Sequence, residues 1–245
     1  MTDGLLLVHA FPLDARMWEP QLTTFADALP VVAPHLPGFG GSPAAGGAMT
    51  MDAAARRCLE ALDEAGVDRA VVCGLSMGGY VTFALRNLAP ERVIGLVLAN
   101  TKAEADTPDA ATGRRTLAER LRAEGTGFLV DSPPPLLLED PEPALFERVR
   151  SMIADQPAEA IAAAALGMAE RPDRTGELAT IEVPTLVVTS DGDRLIPAAV
   201  TAPLAQAIPG AELLTIAGAG HLSNLEAAGI FDEALAGHLA RCGLV

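Results

Sequence analysis

Aromatic side chains are scarce in this chain: they make up 4% of its 245 residues, with a single tryptophan and a single tyrosine. Half of the residues are hydrophobic, so the interior must be built mainly from Ala, Leu and Val. Basic residues are also few, 17 against 32 acidic ones, which leaves a formal net charge of −15 and a sequence pI near 4.6. Phosphate binding needs clustered Lys and Arg, so nucleic acid is not an expected partner, and an anionic membrane surface is disfavoured by the same repulsion. No stretch reaches the ~18 apolar residues of a membrane span. Nor does the beginning read as a signal peptide, because the first basic residue is Arg16, after the short apolar run Leu5–Val8. Cys58, Cys73 and Cys242 are widely spaced and form no CxxC, which reads as reduced thiols in a cytoplasmic protein, with Cys73 in the core. The four histidines form no cluster with cysteine, so no metal is expected.

What is present is a regular alternation. Six apolar runs rich in Val, Leu and Ile occur at Leu5–Ala10, Val31–Leu36, Ala70–Leu75, Ile94–Asn100, Thr185–Ser190 and Glu212–Ala217. Continuous rather than alternating hydrophobicity marks parallel strands covered on both faces. Helical lengths and composition lie between them at Met51–Ala65, Gly79–Leu88 and Ala198–Ala207, which predicts a doubly wound α/β sheet. One gap breaks the pattern. Lys102 to Glu182 is about twice what a single crossover helix needs. It carries helix-like segments near Gly113–Glu124, Pro143–Ala154 and Pro157–Ala169, divided by Pro133-Pro134-Pro135. The expected organisation is a core of residues 1–101 and 183–245 with a helical cap, or lid, at 102–182.

The sharpest chemical signal is Gly74-Leu75-Ser76-Met77-Gly78-Gly79, a G-x-S-x-G that follows a strand and opens a helix. Such a turn strains the serine backbone, demands small residues two before and two after it, and lifts the hydroxyl clear of the sheet at a helix N-terminus. A hydroxyl is a weak nucleophile and needs a base that is itself oriented by an acid. His221, in the glycine-flanked loop past the last strand, is the base candidate. His9 ends the first strand and reads as structural, His35 lies in a strand–loop junction, and His238 reads as part of a polar-faced C-terminal helix. The acid is expected after the fifth strand, where Asp193 precedes Pro197 by four residues; Asp191 is the rival, otherwise a turn former. Asn100, at the end of the fourth strand, cannot balance an imidazolium charge. The tetrahedral oxyanion needs donors as well. The backbone N–H of Met77 is one, and Phe11, in the loop His9-Ala10-Phe11-Pro12, is the expected second.

These residues together resemble the α/β-hydrolase fold superfamily, and within it the small bacterial group of carboxylesterases and 3-oxoadipate enol-lactonases. His9–Asp14 is similar to its oxyanion loop, Leu36–Ser42 to the loop after the next strand, Gly74–Gly79 to its nucleophile elbow, Asp193–Pro197 to its acid turn and Gly220–Glu226 to its histidine loop. Three departures stand out: Ala10 where the family usually has Gly, His35 where it often has Asp, and no room before Leu5 for the customary N-terminal hairpin. The sheet is therefore expected to have six parallel strands with Val31–Leu36 at one edge. An uncovered edge invites pairing, so either a monomer or a homodimer is expected.

The resemblance implies two-step ester hydrolysis by Ser76, His221 and Asp193 without a cofactor. A serine at the elbow disfavours dehalogenase and epoxide-hydrolase chemistry, and the elbow is unlike that of proline iminopeptidases. Enol-lactone hydrolysis, a side perhydrolysis and non-hydrolytic small-molecule binding stay open as alternatives. The expected pocket lining is apolar: Trp18, Phe39, Phe128, Met152 and Met168, beside Phe11 and Met77. Such walls suit small or medium acyl and aryl esters, or lactones, and methionines favour breadth. Arg114, Arg115, Arg120 and Arg122 read either as a solvated helix face or as contacts for an anionic acid.

Overall fold

A computed structural model describes residues 1–245. Its sheet has six strands: β1 (Asp3–Val8), β2 (Val31–Val32), β3 (Arg69–Leu75), β4 (Val93–Ala99), β5 (Thr185–Ser190) and β6 (Glu212–Ile216). They lie in the order β2-β1-β3-β4-β5-β6 with every neighbouring pair parallel, as the unbroken apolar runs predict. β1, β3 and β5 are buried along nearly their whole length. At the far edge β6 buries only Ile216.

The other edge is shorter than the sequence predicts. Only Val31 and Val32 pair with β1, at Leu5 and Leu6. Pro34 has no N–H to give to a ladder, and the Leu36 N–H turns away to the His9 ring instead, donating to Nε2 at 3.1 Å. The chain thus leaves the sheet early and forms a loop that packs against His9 and Ala160.

Eleven α-helices connect or extend the strands: α1 (Glu19–Phe25), α2 (Met51–Glu64), α3 (Met77–Leu88), α4 (Pro108–Glu124), α5 (Gly127–Asp131), α6 (Pro143–Ala154), α7 (Ala158–Ala169), α8 (Ala198–Thr201), α9 (Pro203–Ala207), α10 (Ser223–Glu226) and α11 (Ala228–Arg241). α2 and α4 start at threonine caps: Thr50 accepts from the Ala53 N–H and Thr107 from the Ala110 N–H. Pro108 then occupies the first turn of α4, where its missing N–H costs nothing. The helix expected over Ala198–Ala207 is instead two pieces, α8 and α9, because Pro203 interrupts the hydrogen-bond ladder. No helix is long and apolar enough to cross a membrane.

Helices α4 to α7 fill the interval between β4 and β5. α7 is apolar apart from Glu159 and buries Ala160 through Ala165, as a helix without a polar stripe must. It is tied to the loop before α2, where the Met49 N–H donates to the Ala163 carbonyl at 3.0 Å. A buried polar link runs alongside: Gln156 donates to Asp14 at 2.7 Å and accepts from the Gly40 N–H at 3.0 Å. The buried apolar side chains of these helices and of the sheet form one continuous core.

The connection from β1 goes to β2 on one side, and the chain returns to build β3 through β6 on the other. Strand order therefore reverses between β1 and β3, which opens a crevice at their carboxyl ends, the customary ligand position in such sheets. Phe11 follows β1 and Ser76 follows β3, so both stand at this point.

Candidate active site

Ser76 sits between β3 and α3 with φ 57° and ψ −116°, a left-handed conformation that a non-glycine residue adopts only under constraint. Three hydrogen bonds hold it there. Its N–H donates to the Ala99 carbonyl at 2.9 Å, and its own carbonyl accepts from the Thr101 hydroxyl at 2.8 Å and the Gly79 N–H at 2.9 Å. The flanking glycines are sterically required: a Cβ on Gly74 would overlap the Gly78 backbone, and one on Gly78 would overlap the Val8 carbonyl.

His221 lies in the loop after β6, with 1% of its side chain exposed. Its Nδ1 is 2.8 Å from Asp193 Oδ2. A carboxylate only accepts, so Nδ1 carries the proton and Nε2 keeps a free lone pair. Burial by itself would raise the Asp193 pKa; hydrogen bonds from His221, the Ile196 N–H and Asn100 overcome it and hold the carboxyl below its usual range. The second oxygen, Oδ1, accepts from the Leu195 and Ile196 N–H groups, each at 2.9 Å. Asp191 points elsewhere: its Oδ1 accepts from the Gly218 N–H at 2.8 Å, which closes the loop rather than touching the imidazole.

Two residues with no apparent role in the sequence complete this arrangement. Asn100, itself at φ 45°, donates from Nδ2 to Asp193 Oδ2 at 2.9 Å and to the Ser190 hydroxyl at 2.8 Å, and it accepts from the Ser223 hydroxyl at 2.7 Å. Glu226 accepts from the Gly220 N–H at 2.9 Å and from the Leu138 N–H at 2.7 Å, binding the histidine loop to the segment between α5 and α6. Burial raises its pKa despite those two bonds. A signal for Asn100 existed in its position at the end of β4; for Glu226 there was only its place in the histidine loop.

His9 is fully buried below the crevice. Its Nδ1 lies 3.1 Å from the Ala10 carbonyl while Nε2 accepts from the Leu36 N–H. Burial lowers its pKa to about 4, so it is neutral and ties the loop after β1 to the loop after β2. His35 has a similar part: its Nδ1 accepts from the Ala15 N–H at 3.3 Å, with the ring filling the space that a side chain at Gly40 would need. His238, expected on a polar face, is instead buried against the sheet beside Gly95, because α11 turns that face inward.

Ser76, His221 and Phe11 line one cavity of about 390 Å³, a volume within the ~300–1,000 Å³ usual for small-molecule sites. The N–H groups of Phe11 and Met77 donate to no other group of the chain. Met77 is buried as the first residue of α3. Of the five side chains expected to line the pocket, Met168 does so. The other four require correction. Trp18 is fully buried against Phe231, ring centroids 6.0 Å apart, and Phe39 against the His9 ring at 5.3 Å. Both serve the core because large rings gain most where no water remains. Phe128 lies under the Arg120 guanidinium at 3.7 Å, and Met152 is buried in α6 away from this cavity. Their places on the wall are taken by Leu117, Leu129, Leu136, Leu195, Ile196 and Val200.

One side of the cavity is charged. Lys102, Asp106 and Arg114 line it, with Tyr80 beside them. Arg114 has thus turned inward from the helix face, whereas Arg115 is exposed and Arg120 and Arg122 pair with Glu124 and Glu159 outside.

The fold and sequence are similar to those of known proteins. A thermophilic esterase from Thermogutta terrifontis, solved with malate bound, superposes with a TM-score of 0.94 at 39% identity, covering 99% of this chain and 92% of that one. The enol-lactonase of Burkholderia xenovorans LB400 gives 0.88 at 28% identity, covering 98% and 92%. The dihydrolipoyllysine-residue acetyltransferase component of the acetoin cleaving system of Cupriavidus necator is 31% identical over 97% of this chain, which spans 63% of that protein's length. The family model described as the alpha/beta hydrolase family matches residues 5–234. The chain belongs to the alpha/beta hydrolase family.

Proposed function

We propose that the protein hydrolyses carboxylic esters of small to medium size through an acyl-enzyme on Ser76. The reading rests on one observation above all: His221, paired with the buried Asp193 at 2.8 Å, lines the same cavity as a serine held at positive φ. Ser76 Oγ attacks the ester carbonyl carbon while His221 Nε2 takes the hydroxyl proton. Asp193, kept ionised by its three kinds of donor, stabilises the imidazolium that results. The oxyanion settles between the unengaged N–H groups of Phe11 and Met77, where the N-terminus of α3 adds its dipole. Collapse expels the alcohol, which leaves with the proton from His221. Water then attacks the acyl-enzyme, His221 again taking and returning a proton, and the carboxylic acid departs. Every proton is moved by His221, so the cycle closes on the chain's own residues and water.

A lactone fits the same steps, its alcohol remaining attached to the acyl group, and the likeness to an enol-lactonase favours that as the second reading. An organophosphate ester tests the nucleophile directly. Diethyl 4-nitrophenyl phosphate should release one equivalent of nitrophenol per chain and leave a diethylphosphoryl mass on the peptide containing Ser76. Labelling of another residue, or none, would refute the assignment.

A further inference from the structure

Of the 17 Lys and Arg residues in this chain, one alone is lysine: Lys102. It lies on the wall of the cavity that holds Ser76 and His221, next in sequence to Thr101, whose hydroxyl is bonded to the Ser76 carbonyl. A chain that meets nearly all of its needs for positive charge with arginine has thus put its only lysine side chain on the wall of the cavity that holds the candidate nucleophile.

The surroundings of Lys102 leave it underused. Its Nζ makes no hydrogen bond within the chain, and its only ion pair is long, 3.8 Å to Asp106 Oδ1. Asp106 is already engaged. Its buried carboxylate accepts from Arg114 Nε through Oδ2 and from Arg171 Nη1 through Oδ1 at 2.8 Å. Arg171 is committed too, donating to the Met168 and Glu104 carbonyls at 2.9 Å each and lying over the Tyr80 ring at 4.0 Å. Arg114 uses only Nε, so both of its terminal nitrogens remain without partners. Three cations therefore surround one buried carboxylate, the nearby Glu104 facing solvent. Burial, and then the charge of Arg171, holds the Lys102 ammonium below its usual pKa range. An arriving anion would relieve that cost.

We propose that Lys102 and Arg114 form a carboxylate-binding subsite, so that the preferred substrates are esters bearing a free carboxylate some atoms away from the scissile bond. The inference rests on the hydrolytic reading above and names its substrate class. The terminal edge of Arg114 presents paired N–H donors that match a planar carboxylate, and Lys102 adds a compact charge. The apolar lining of the same cavity, Leu117 and Met168 among it, suits a short methylene chain.

Two measurements test it. The first is the ratio of kcat/KM for ethyl hydrogen glutarate to that for ethyl pentanoate, from ethanol release. A charge-assisted contact predicts a ratio of about 10 to 100 for the wild type, falling toward 1 in Lys102→Met and staying high in Lys102→Arg. The second needs no turnover. Reductive methylation with ¹³C-formaldehyde labels only Lys102 and the terminal amine, so ethyl hydrogen glutarate added to labelled Ser76→Ala should move the Lys102 methyl resonance, and ethyl pentanoate should not. A wild-type ratio near 1, a high ratio that survives in Lys102→Met, or a resonance indifferent to the half-ester overturns the subsite. A resonance that moves while neither ester is hydrolysed by the wild type supports the subsite and counts against the hydrolytic reading instead.

Discussion

Asn100 stands where a carboxylate would make a second acid, and its amide makes it a positioning residue for Asp193 instead. It donates to the oxygen that also receives His221. Removing the amide leaves a buried carboxylate short of one donor, a loss of about 1.5–3 kcal/mol for a charged partner. Asn100→Gly keeps the left-handed backbone free of strain and should lower kcat about 10- to 100-fold with little change in KM. It should also move the acid limb of the rate profile to higher pH, because Asp193 loses a donor that favours its charged form. An unchanged profile would mean that Asn100 only fills space. Local pattern points to the candidates whose setting is fixed by neighbours in sequence: Ser76 by its glycines, Asp193 by the turn to Pro197, His221 by its glycine-flanked loop. Asn100 bonds Asp193, and Glu226 bonds Leu138 besides its near neighbour Gly220, across about ninety positions, and no window of sequence contains such a relation. The same limit misplaced Trp18 and Phe39, whose size announces burial but not against which neighbour.

Strands and helices were legible to the extent that hydrophobic periodicity governs them. All six strand centres fall inside their apolar runs, and for β1, β3, β4 and β5 the reason is that a strand buried in a parallel sheet must be apolar throughout. The edge strand β2 is the exception, cut short where Pro34 cannot donate and His9 captures the Leu36 N–H. His9 therefore joins two loops that periodicity cannot relate. His9→Leu would strip the Leu36 N–H of its acceptor in a fully buried place, which costs about 1–3 kcal/mol. Urea denaturation should show a lower midpoint with an unchanged slope; an unaltered midpoint would show that the loops are held by other contacts. The break between α8 and α9 falls at Pro203, whose missing N–H marks it in the sequence itself.

For the whole molecule, charge decides the response to pH. His9 is buried in its neutral form with a pKa near 4, and burial likewise lowers His238 to about 4. Their unfolded counterparts take up protons near 6.5, so between those values the unfolded chain binds more protons and stability rises with pH. The contribution is fully present above pH 6.5 and lost as the pH falls to 4; for His9 it amounts to roughly 3 kcal/mol. Asp14, Asp106 and Asp193, each held below its usual range by donors that outweigh burial, add a further loss at still lower pH. Protonating carboxylates also eases the repulsion of a chain at −15, but dispersed surface charge is a weak, screened effect beside buried groups. Thermal melts should therefore show a lower Tm at pH 5 than at pH 7.5, with His238→Leu reducing the difference; a Tm that rises on acidification would contradict this. The central claim, that Ser76 is the nucleophile of an ester hydrolase, is tested most directly by steady-state hydrolysis of 4-nitrophenyl esters from acetate to decanoate. The wild type should turn over the short and medium members, and Ser76→Ala, still folded, should lose about 10⁴-fold or more. Turnover that survives in Ser76→Ala, or none by the wild type on any ester, would contradict the account.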